Sequence, residues 1–468
     1  MAAYREQTVE IAWDIRGMVD NGDSSGLGRR VPRGREHVSI IKERRGNGLS
    51  AGPCKSEFKL LFCTTPWYDH GMITRDLSKE LILSAGEYPV VTLLGPRQSG
   101  KTTLAKMTFP GKPYVSLEDP DVRLAAEADP RDFLGRMEGG GILDEVQRLP
   151  ALLSYIQGMV DKGRGRGRFI LTGSHQPQLH EAISQSLAGR TAMLTLWPFS
   201  LHELRHYGSA WRPFDLIVRG FFPRLHDEGL EPRRFYNGYL QTYVERDVRA
   251  LIQLRNLSLF QKFLTLLAGR VGQVANLVSL SNDVGVSSTA IRNWLSVLKA
   301  SYVVFELPPF FENVRKRVIK SPKIYFTDVG LAAFLLGIHT EEQASRDPLR
   351  GNLYENLVVT ELVKGALNRG IRPEIYFFRD SHGNEVDLLI REKGTLMPVE
   401  IKSAGTFSTD FVNGLESFRR SGIQRVNAGA VLYNGEQRLN IRGVRIFNPL
   451  LVEDLWDTLT APPKRKTV

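Results

Sequence analysis

The eight residues Gly95–Thr102, with the sequence GPRQSGKT, match the pattern G-x-x-x-x-G-K-[ST] at every fixed position. An apolar, β-branched run, 88–94, precedes them, and 103–107 has the composition of a helix start. A glycine-rich loop between a strand and a helix turns backbone N–H groups toward phosphate oxygens, and the helix N-terminus favours negative charge. In such a loop Lys101 reaches the β- and γ-phosphates and the Thr102 hydroxyl binds Mg²⁺. We therefore predict a site for ATP and Mg²⁺ formed by Gly95, Pro96, Arg97, Gln98, Ser99, Gly100, Lys101, Thr102 and Thr103.

Two acids end a second apolar stretch, Ile142-Leu-Asp-Glu145. Downstream of a phosphate-binding loop, such a strand delivers Asp144 beside the loop, where its carboxylate holds Mg²⁺ through water. Glu145 is then placed to polarise the attacking water as general base. We predict Thr102 and Asp144 as metal ligands, and Glu145 and Lys101 as catalytic residues.

Two further residues are candidates for the same reaction. Thr172 and Ser174 end the next predicted strand, where either hydroxyl would sense the γ-phosphate or orient the water; the alternative is an ordinary strand-end turn. Arg190, in Leu187-Ala-Gly-Arg190, is predicted to be exposed. An arginine supplied to a neighbour's γ-phosphate would make hydrolysis depend on a homo-oligomer. A surface ion pair is the alternative for Arg190.

The order of predicted elements indicates several domains in this chain of 468 residues. Strands alternate with helices from the phosphate-binding loop to about residue 200, which predicts a parallel sheet with helices on both faces. Helical patterns then dominate. Residues 274–307 read as two helices, a turn and a strand, with the dimensions of a winged helix. Helices and strands alternate again after about residue 350.

The charge distribution suggests nucleic acid as a partner. The net charge is +11, and residues 202–320 hold 17 Lys and Arg against 10 Asp and Glu. A basic segment that contains a helix–turn–helix pattern favours DNA binding, with Arg292 and Lys299 on the second helix. A solvated basic surface, or a module that contacts protein, is the alternative.

A family resemblance becomes specific when the motifs are taken together. GPRQSGKT, LDEVQRLP, FILTGSHQPQL, SLAGR and YLQTYVERDVR, in this order, resemble a prokaryotic AAA+-type ATPase family with a C-terminal domain of unknown function. The resemblance covers roughly residues 73–450 and implies an ATP-binding protein rather than a biological task. Phe221-Phe-Pro223 departs from the expected glycine-rich turn before a Phe-Pro or Tyr-Pro pair, although Gly220 partly preserves it.

Four charged residues near the C-terminus resemble a second active site. Asp387 lies in an apolar strand, 385–390, and Glu400 and Lys402 lie at the end of the next strand, which begins at Leu396. Side chains two apart in a strand share a face, so a hairpin would bring these three together. Two carboxylates would bind Mg²⁺, and Lys402 would assist water attacking phosphate. With Glu355 as an acid on the preceding helix, this resembles a PD-(D/E)xK nuclease core, whether active or kept as a binding module.

We therefore expect an α/β protein with a disordered N-terminal extension (1–70), an AAA+-like P-loop ATPase domain (71–205), a helical and winged-helix region (206–320), a restriction-endonuclease-like α/β domain (321–455) and a basic tail (456–468). No apolar run reaches the ~20 residues of a membrane helix, and we expect a cytoplasmic protein without a membrane partner. The expected function is Mg²⁺-dependent ATP hydrolysis coupled to conformational change, acting on DNA. The alternative is a nucleotide-switched regulatory or scaffold protein with a protein partner and an inactive nuclease-like domain.

Overall fold

The computed structural model describes residues 73–137, 139–163, 165–174, 177–205, 211–244, 256–311, 321–380 and 383–460. The predicted disordered extension, residues 1–70, lies outside these ranges, as do residues 461–468 of the predicted tail. Within the described ranges, no helix combines the length and the apolar character that crossing a membrane requires.

A five-stranded parallel sheet forms the first part of the fold. Its strands are Val90–Gly95 (β1), Tyr114–Ser116 (β2), Gly141–Asp144 (β3), Phe169–Ser174 (β4) and Thr191–Thr195 (β5). Their order is β2-β3-β4-β1-β5, and every pairing is parallel. Val90 and Leu94 join one apolar core and Val91 and Leu93 another, because successive side chains of a strand alternate between faces. This confirms the predicted sheet covered on both faces.

Seven helices accompany this sheet in the described part of the chain. They are Leu77–Glu87 (α1), Lys101–Thr108 (α2), Pro120–Ala128 (α3), Pro130–Gly135 (α4), Leu152–Lys162 (α5), Pro177–Ser186 (α6) and Leu201–Arg205 (α7), with a 3₁₀ turn at Val146–Arg148. Proline at the first position of α3 and α4 suits a helix start, where no N–H is needed.

The middle region is mainly helical, as predicted. Its described helices are Pro213–Arg219 (α8), Pro223–Asp227 (α9), Pro232–Tyr239 (α10), Leu257–Ala268 (α11), Leu277–Val284 (α12) and Ser288–Ala300 (α13), with a π-helical turn at Leu240–Val244. Ser287 caps α13 by accepting a hydrogen bond from the Ala290 N–H. Strands Val304–Leu307 (β6) and Lys323–Phe326 (β7) follow and pair antiparallel.

The last part of the chain surrounds a six-stranded mixed sheet. Its strands are Ile375–Arg379 (β8), Glu385–Glu392 (β9), Thr395–Lys402 (β10), Ala430–Tyr433 (β11), Leu439–Ile441 (β12) and Val444–Phe447 (β13). The order is β12-β13-β11-β10-β9-β8. The associated helices are Val329–Leu335 (α14), Glu341–Arg346 (α15), Arg350–Leu367 (α16), Asn413–Arg420 (α17) and Leu455–Thr460 (α18), with 3₁₀ turns at Thr409–Val412 and Pro449–Leu451.

The predicted hairpin is present in this sheet. Strands β9 and β10 pair antiparallel, with Leu388 opposite Val399. Helix α16 packs on β10, and β11 lies parallel to β10 on its other side. Helix, three antiparallel strands, helix and parallel strand therefore follow one another in the order α16-β8-β9-β10-α17-β11.

Two domain boundaries predicted from the sequence need correction. The boundary at 320/321 falls between β6 and β7, which pair with each other. The predicted basic tail begins inside a helix, since Leu455–Thr460 is α18 and its Trp456 and Leu459 are buried. Trp456 packs against Gly365 of α16, so these residues belong to the folded C-terminal part.

A tight turn at Gly220 joins the middle region to the rest of the fold. Gly220 has a φ of 73°, and an added Cβ would lie 1.7 Å from the Tyr236 hydroxyl and 2.5 Å from Asp328 Oδ1. The next residue, Phe221, donates its N–H to Asp328 Oδ2 at 2.7 Å. Two residues further on, Pro223 Cγ lies 3.7 Å from an ideal Cβ at Gly100, so the turn packs beside the phosphate-binding loop.

Gly220→Ala should therefore be much more harmful than an alanine at an open glycine. We expect a loss of about 3 kcal/mol in the free energy of unfolding, from the positive φ and from overpacking together. Gly189→Ala is the matched control, because Gly189 has a φ of 72° but nothing within 4 Å of its added Cβ, and it should lose about 1 kcal/mol. Urea unfolding followed by tryptophan fluorescence measures both; equal losses would contradict the prediction.

Candidate functional site

The predicted phosphate-binding loop leaves the carboxyl end of β1 and enters α2 at Lys101. Gly95 has a φ of 152°, and a Cβ there would lie 2.0 Å from the Leu196 carbonyl oxygen, so only glycine fits this close approach. Gly100 precedes the helix with a φ of 89°. The loop thus sits at the N-terminus of a helix, where free N–H groups favour an anion.

Lys101 is buried in the loop and folds back onto its backbone. Its Nζ donates to the carbonyl oxygens of Gly95 at 3.2 Å and Pro96 at 2.7 Å. Burial lowers the pKa of Lys101, the charges of Glu145 and Asp144 partly oppose this, and Arg97 adds a smaller decrease, so that the pKa is about 8. A bound polyphosphate would restore the charged form, because opposite charge favours it.

Asp144, at the end of β3, is the hydrogen-bonding centre of the site. Its carboxylate accepts from Thr102 Oγ1 at 2.9 and 3.0 Å, from Tyr114 OH at 2.9 Å and from Thr172 Oγ1. Burial, followed by the charge of Asp144, raises the pKa of Tyr114, which keeps this donor protonated. A hydroxyl beside a carboxylate is the type of oxygen pair that Mg²⁺ binds, so Thr102 and Asp144 fit the predicted metal.

The remaining predicted residues of this site have different surroundings. Glu145 directly follows Asp144 with a φ of 56°, and its Oε2 accepts a hydrogen bond from Gln147 Nε2. Ser174 pairs with Gly95 across β4 and β1, and its buried Oγ has no partner in the described part of the chain. The hydroxyl of Thr172, the other candidate, donates a hydrogen bond to Asp144. Ser174 is therefore the better candidate for contact with the γ-phosphate or the water.

Arg190 lies away from the phosphate-binding loop of its own chain. Its backbone carbonyl accepts from the Val90 N–H, at the opposite end of β1 from Gly95. Its guanidinium forms a partly exposed pair with Asp161, with Nε at 2.6 Å from Oδ1. The structure thus shows the surface ion pair, and a role toward a neighbouring subunit stays a prediction.

The sequence did not indicate Arg75, which holds the backbone of the phosphate-binding loop by a hydrogen bond to Ser99. This buried guanidinium donates to the Ser99 carbonyl at 2.7 Å, to the Trp197 carbonyl at 2.6 Å and to Glu203 Oε1 at 2.9 Å. Arg75 therefore fixes the backbone of the phosphate-binding loop to the segment that follows β5. A single arginine ahead of β1 had no pattern that would mark this role.

The tertiary structure also brings together the four predicted C-terminal residues. Lys402 Nζ lies 2.5 Å from Glu400 Oε1 and 3.7 Å from Asp387 Oδ2. Asp387 also accepts the Ile401 N–H at 2.8 Å. Burial, and next the charge of Asp387, raise the pKa of both Glu355 and Glu400. Glu355 on α16 thus shares the electrostatic environment of the β9–β10 hairpin.

Three residues that the sequence did not indicate complete this group. Lys323 of β7 lies 3.0 Å from Glu355 Oε1 and 2.8 Å from Glu385 Oε1, and Tyr325 OH donates to Glu355 Oε1. Burial alone would lower the pKa of Lys323, but Glu355, Asp387 and Glu385 outweigh it and the pKa is raised. We call Lys323, Tyr325, Glu355, Glu385, Asp387, Glu400 and Lys402 the C-terminal cluster.

The donor chemistry of the C-terminal cluster suits Mg²⁺, but its arrangement does not. In the described ranges, no three His, Cys, Asp or Glu side chains converge closely enough to hold a metal ion. The carboxylates of Glu355 and Glu385 are drawn to Lys323 and that of Glu400 to Lys402. The lysines therefore already engage these carboxylates, and Mg²⁺ binding by Asp387 and Glu400 stays a prediction.

Comparison with known proteins follows this division of the chain. Residues 87–205 match the AAA domain family, whereas 212–342 and 350–451 match two domains of unknown function, DUF8612 and DUF4143. The uncharacterized protein Rv2008c of Mycobacterium tuberculosis is 31% identical over 384 residues, covering 80% of this chain and 83% of the relative. The chain belongs to the same family. Protein Mb2031c of Mycobacterium bovis matches to the same extent. The match to the AAA domain family supports nucleotide binding and hydrolysis.

Solved structures that resemble the chain include ATPases. The Walker-type ATPase PABY2304 of Pyrococcus abyssi has a TM-score of 0.37 and 17% identity, covering 57% of this chain and 98% of that one. AMPPCP-bound DnaA from Aquifex aeolicus has a TM-score of 0.26 and 15% identity, covering 48% of this chain and 85% of that one.

The lowered pKa of Lys101 predicts a pH dependence of ATP binding. With a pKa of about 8 the free lysine loses its proton between pH 7 and pH 9, whereas the bound form holds it. ATP binding should therefore take up a proton and weaken by about tenfold over this range. Calorimetry in buffers of different ionisation enthalpy measures the uptake. Lys101→Arg is the control, because arginine stays charged; the same pH dependence in that variant would exclude Lys101 as its source.

Proposed function

We propose that this AAA-domain protein hydrolyses ATP with Mg²⁺ and couples the reaction to a change of conformation. The observation that carries the proposal is the Asp144 carboxylate held against the Thr102 hydroxyl at the mouth of the phosphate-binding loop. The loop amides and Lys101 would bind the β- and γ-phosphates. Bound Mg²⁺ would neutralise charge on the phosphate oxygens, held by Thr102 and, through water, by Asp144.

Each remaining residue of the site has a separate task in this proposal. Glu145, one residue beyond Asp144, would accept the proton of the attacking water. Its hydrogen bond from Gln147 would hold the carboxylate in place before the nucleotide arrives. Ser174, on the strand beside β1, would contact the γ-phosphate or the water. Arg190 would act only in an assembly, after leaving Asp161.

Glu145→Gln should separate binding from turnover. The glutamine keeps the shape of the side chain but cannot accept the proton, so we expect unchanged ATP affinity and a turnover lower by about 10²–10⁴-fold. Lys101→Ala is the contrasting variant and should lose ATP binding itself. Fluorescent-nucleotide titration and phosphate release measure the two properties; wild-type turnover in Glu145→Gln, or undiminished affinity in Lys101→Ala, would contradict the proposal.

Two uses of the ATPase remain open. In the first, the protein acts on DNA through the second helix of the helix–turn–helix pattern. Ser287 caps this helix, and Arg292 and Asn293 are exposed on it, as reading a groove requires. Lys299, which the sequence also suggested, is paired with Glu306 at 2.5 Å.

In the second, the protein is a nucleotide-switched regulator or scaffold whose nuclease-like domain binds without cutting. The order α16-β8-β9-β10-α17-β11 and the meeting of Glu355, Asp387, Glu400 and Lys402 support a nuclease-like origin. The lysine pairing of the carboxylates favours the inactive form over a cutting enzyme. A protein partner would then take the place of DNA.

The ATPase rate with and without duplex DNA distinguishes the two uses. DNA action predicts stimulation that falls steeply as salt rises, because phosphate contacts release counterions. Arg292→Ala should reduce the stimulation and leave the basal rate unchanged. If the protein is a regulator, its ATPase rate should not depend on DNA. DNA and RNA should also stay intact after incubation with ATP and Mg²⁺ or Mn²⁺. Cleavage that Glu400→Gln abolishes would contradict the hypothesis that the nuclease-like domain is inactive.

A further inference from the structure

Lys323 is a buried lysine whose acidic partners come from a different region of the chain. Its side chain is only 3% exposed, and its Nζ lies between Glu355 Oε1 and Glu385 Oε1, at 3.0 and 2.8 Å. It also lies 5.6 Å from the centre of the Phe377 ring. The residue belongs to the region that matches DUF8612, whereas its acidic partners belong to the region that matches DUF4143. One domain of the chain thus places a cation inside the carboxylates of another.

Hydrogen bonds restrain the backbone of the strand that carries Lys323 and of the residues that follow it. Asn356 of α16 accepts the Phe326 N–H at 2.8 Å and donates to the Phe326 carbonyl at 2.9 Å. Beyond the strand, Asp328 accepts from Phe221 N–H and from Tyr236 OH. These contacts fix the backbone on the C-terminal side of Lys323 and limit where its ammonium group can go.

The C-terminal cluster still carries more negative than positive groups. The four carboxylates face the ammonium groups of Lys323 and Lys402, and Arg379 Nε lies 3.8 Å from Glu385 Oε2. Glu400 is 9% exposed, and its Oε2 is buried without a hydrogen-bond partner in the described part of the chain. Carboxylates of this kind bind hard divalent cations when their oxygens converge on one point. Here Lys323 holds two of them elsewhere.

We propose that Lys323 is a tethered cation that occupies the C-terminal cluster in place of a divalent metal ion. Its ammonium group engages the Glu355 oxygen that a metal ion would need and draws Glu385 to the same place. Lys323 thereby cancels part of the negative charge of the cluster, which then has low affinity for Mg²⁺ or Mn²⁺. This inference deepens the second proposed use, the nuclease-like domain that does not cut, and supplies its physical cause.

Removing the ammonium group should open the cluster to metal. In Mn²⁺ titrations of the full-length, nucleotide-free protein followed by electron paramagnetic resonance, Lys323→Met should bind one ion at least about tenfold more tightly than wild type. That change corresponds to about 1.4 kcal/mol, and it follows from taking one positive charge away from a cation site. Adding Glu400→Gln should abolish the gained site. Lys393→Met is the matched control, since Lys393 lies in the β9–β10 turn with its side chain 91% exposed.

Equal or weaker Mn²⁺ binding by folded Lys323→Met would overturn the inference. If circular dichroism shows that Lys323→Met does not fold, the double variant Lys323→Met/Glu385→Gln is measured in its place. It removes both members of the ion pair. Wild type provides a test that needs no variant of Lys323: tight Mn²⁺ binding that Glu400→Gln abolishes would also overturn it. Because the readout is metal binding without nucleotide or DNA, it is independent of the ATPase and of any nucleic-acid cleavage.

Discussion

A buried arginine requires fixed partners, because its guanidinium stays charged and an unpaired charge in the interior is very costly. Arg75 meets this requirement with the Ser99 and Trp197 carbonyls and with Glu203. The second oxygen of Glu203 accepts the Ser200 N–H at 2.8 Å. The same short segment then meets α16, where Glu361 accepts the Leu201 N–H at 2.6 Å. Residues 197–203 are thus held between the phosphate-binding loop and the long helix of the C-terminal domain.

The contacts of residues 197–203 connect the phosphate-binding loop to the middle and C-terminal regions. The parallel sheet has its own two cores, whereas one large core extends through the middle and C-terminal regions. The Gly220 turn adds a second connection, since Pro223 packs beside Gly100 and Phe221 is bonded to Asp328. Asp328 follows the strand that carries Lys323. The two polar sites are therefore joined by continuous packed structure, through which the proposed coupling would act.

Much of both sites was predictable because local patterns encode them. The phosphate-binding loop lies within eight consecutive residues, and a strand that ends in two acids is also a local signal. The β9–β10 hairpin was predictable because its two apolar strands lie close together in the sequence, and Glu400 and Lys402 share a face of the second strand. Arg75, Lys323 and Tyr325 had no such signal, since each finds its partners in residues that are distant in sequence. The sequence could not show that Lys323 of β7 pairs with Glu355 and Glu385. The metal site expected at Asp387 and Glu400 stays a prediction.

The sequence by itself determined that this chain contains a nucleotide-binding loop with Asp144 and Glu145 on a later strand, because these features depend on spacing within short segments. It also determined the alternation that places Glu400 and Lys402 on one face of their strand, whereas the position of Asp387 beside them depends on the β9–β10 register. Only the tertiary structure decided that Arg190 pairs with Asp161, that Thr172 serves Asp144 while Ser174 stays available, and that Lys323 fills the C-terminal cluster. The physical reason is that a buried charge is satisfied by whichever groups the fold brings within a few ångströms, and sequence distance does not limit that choice.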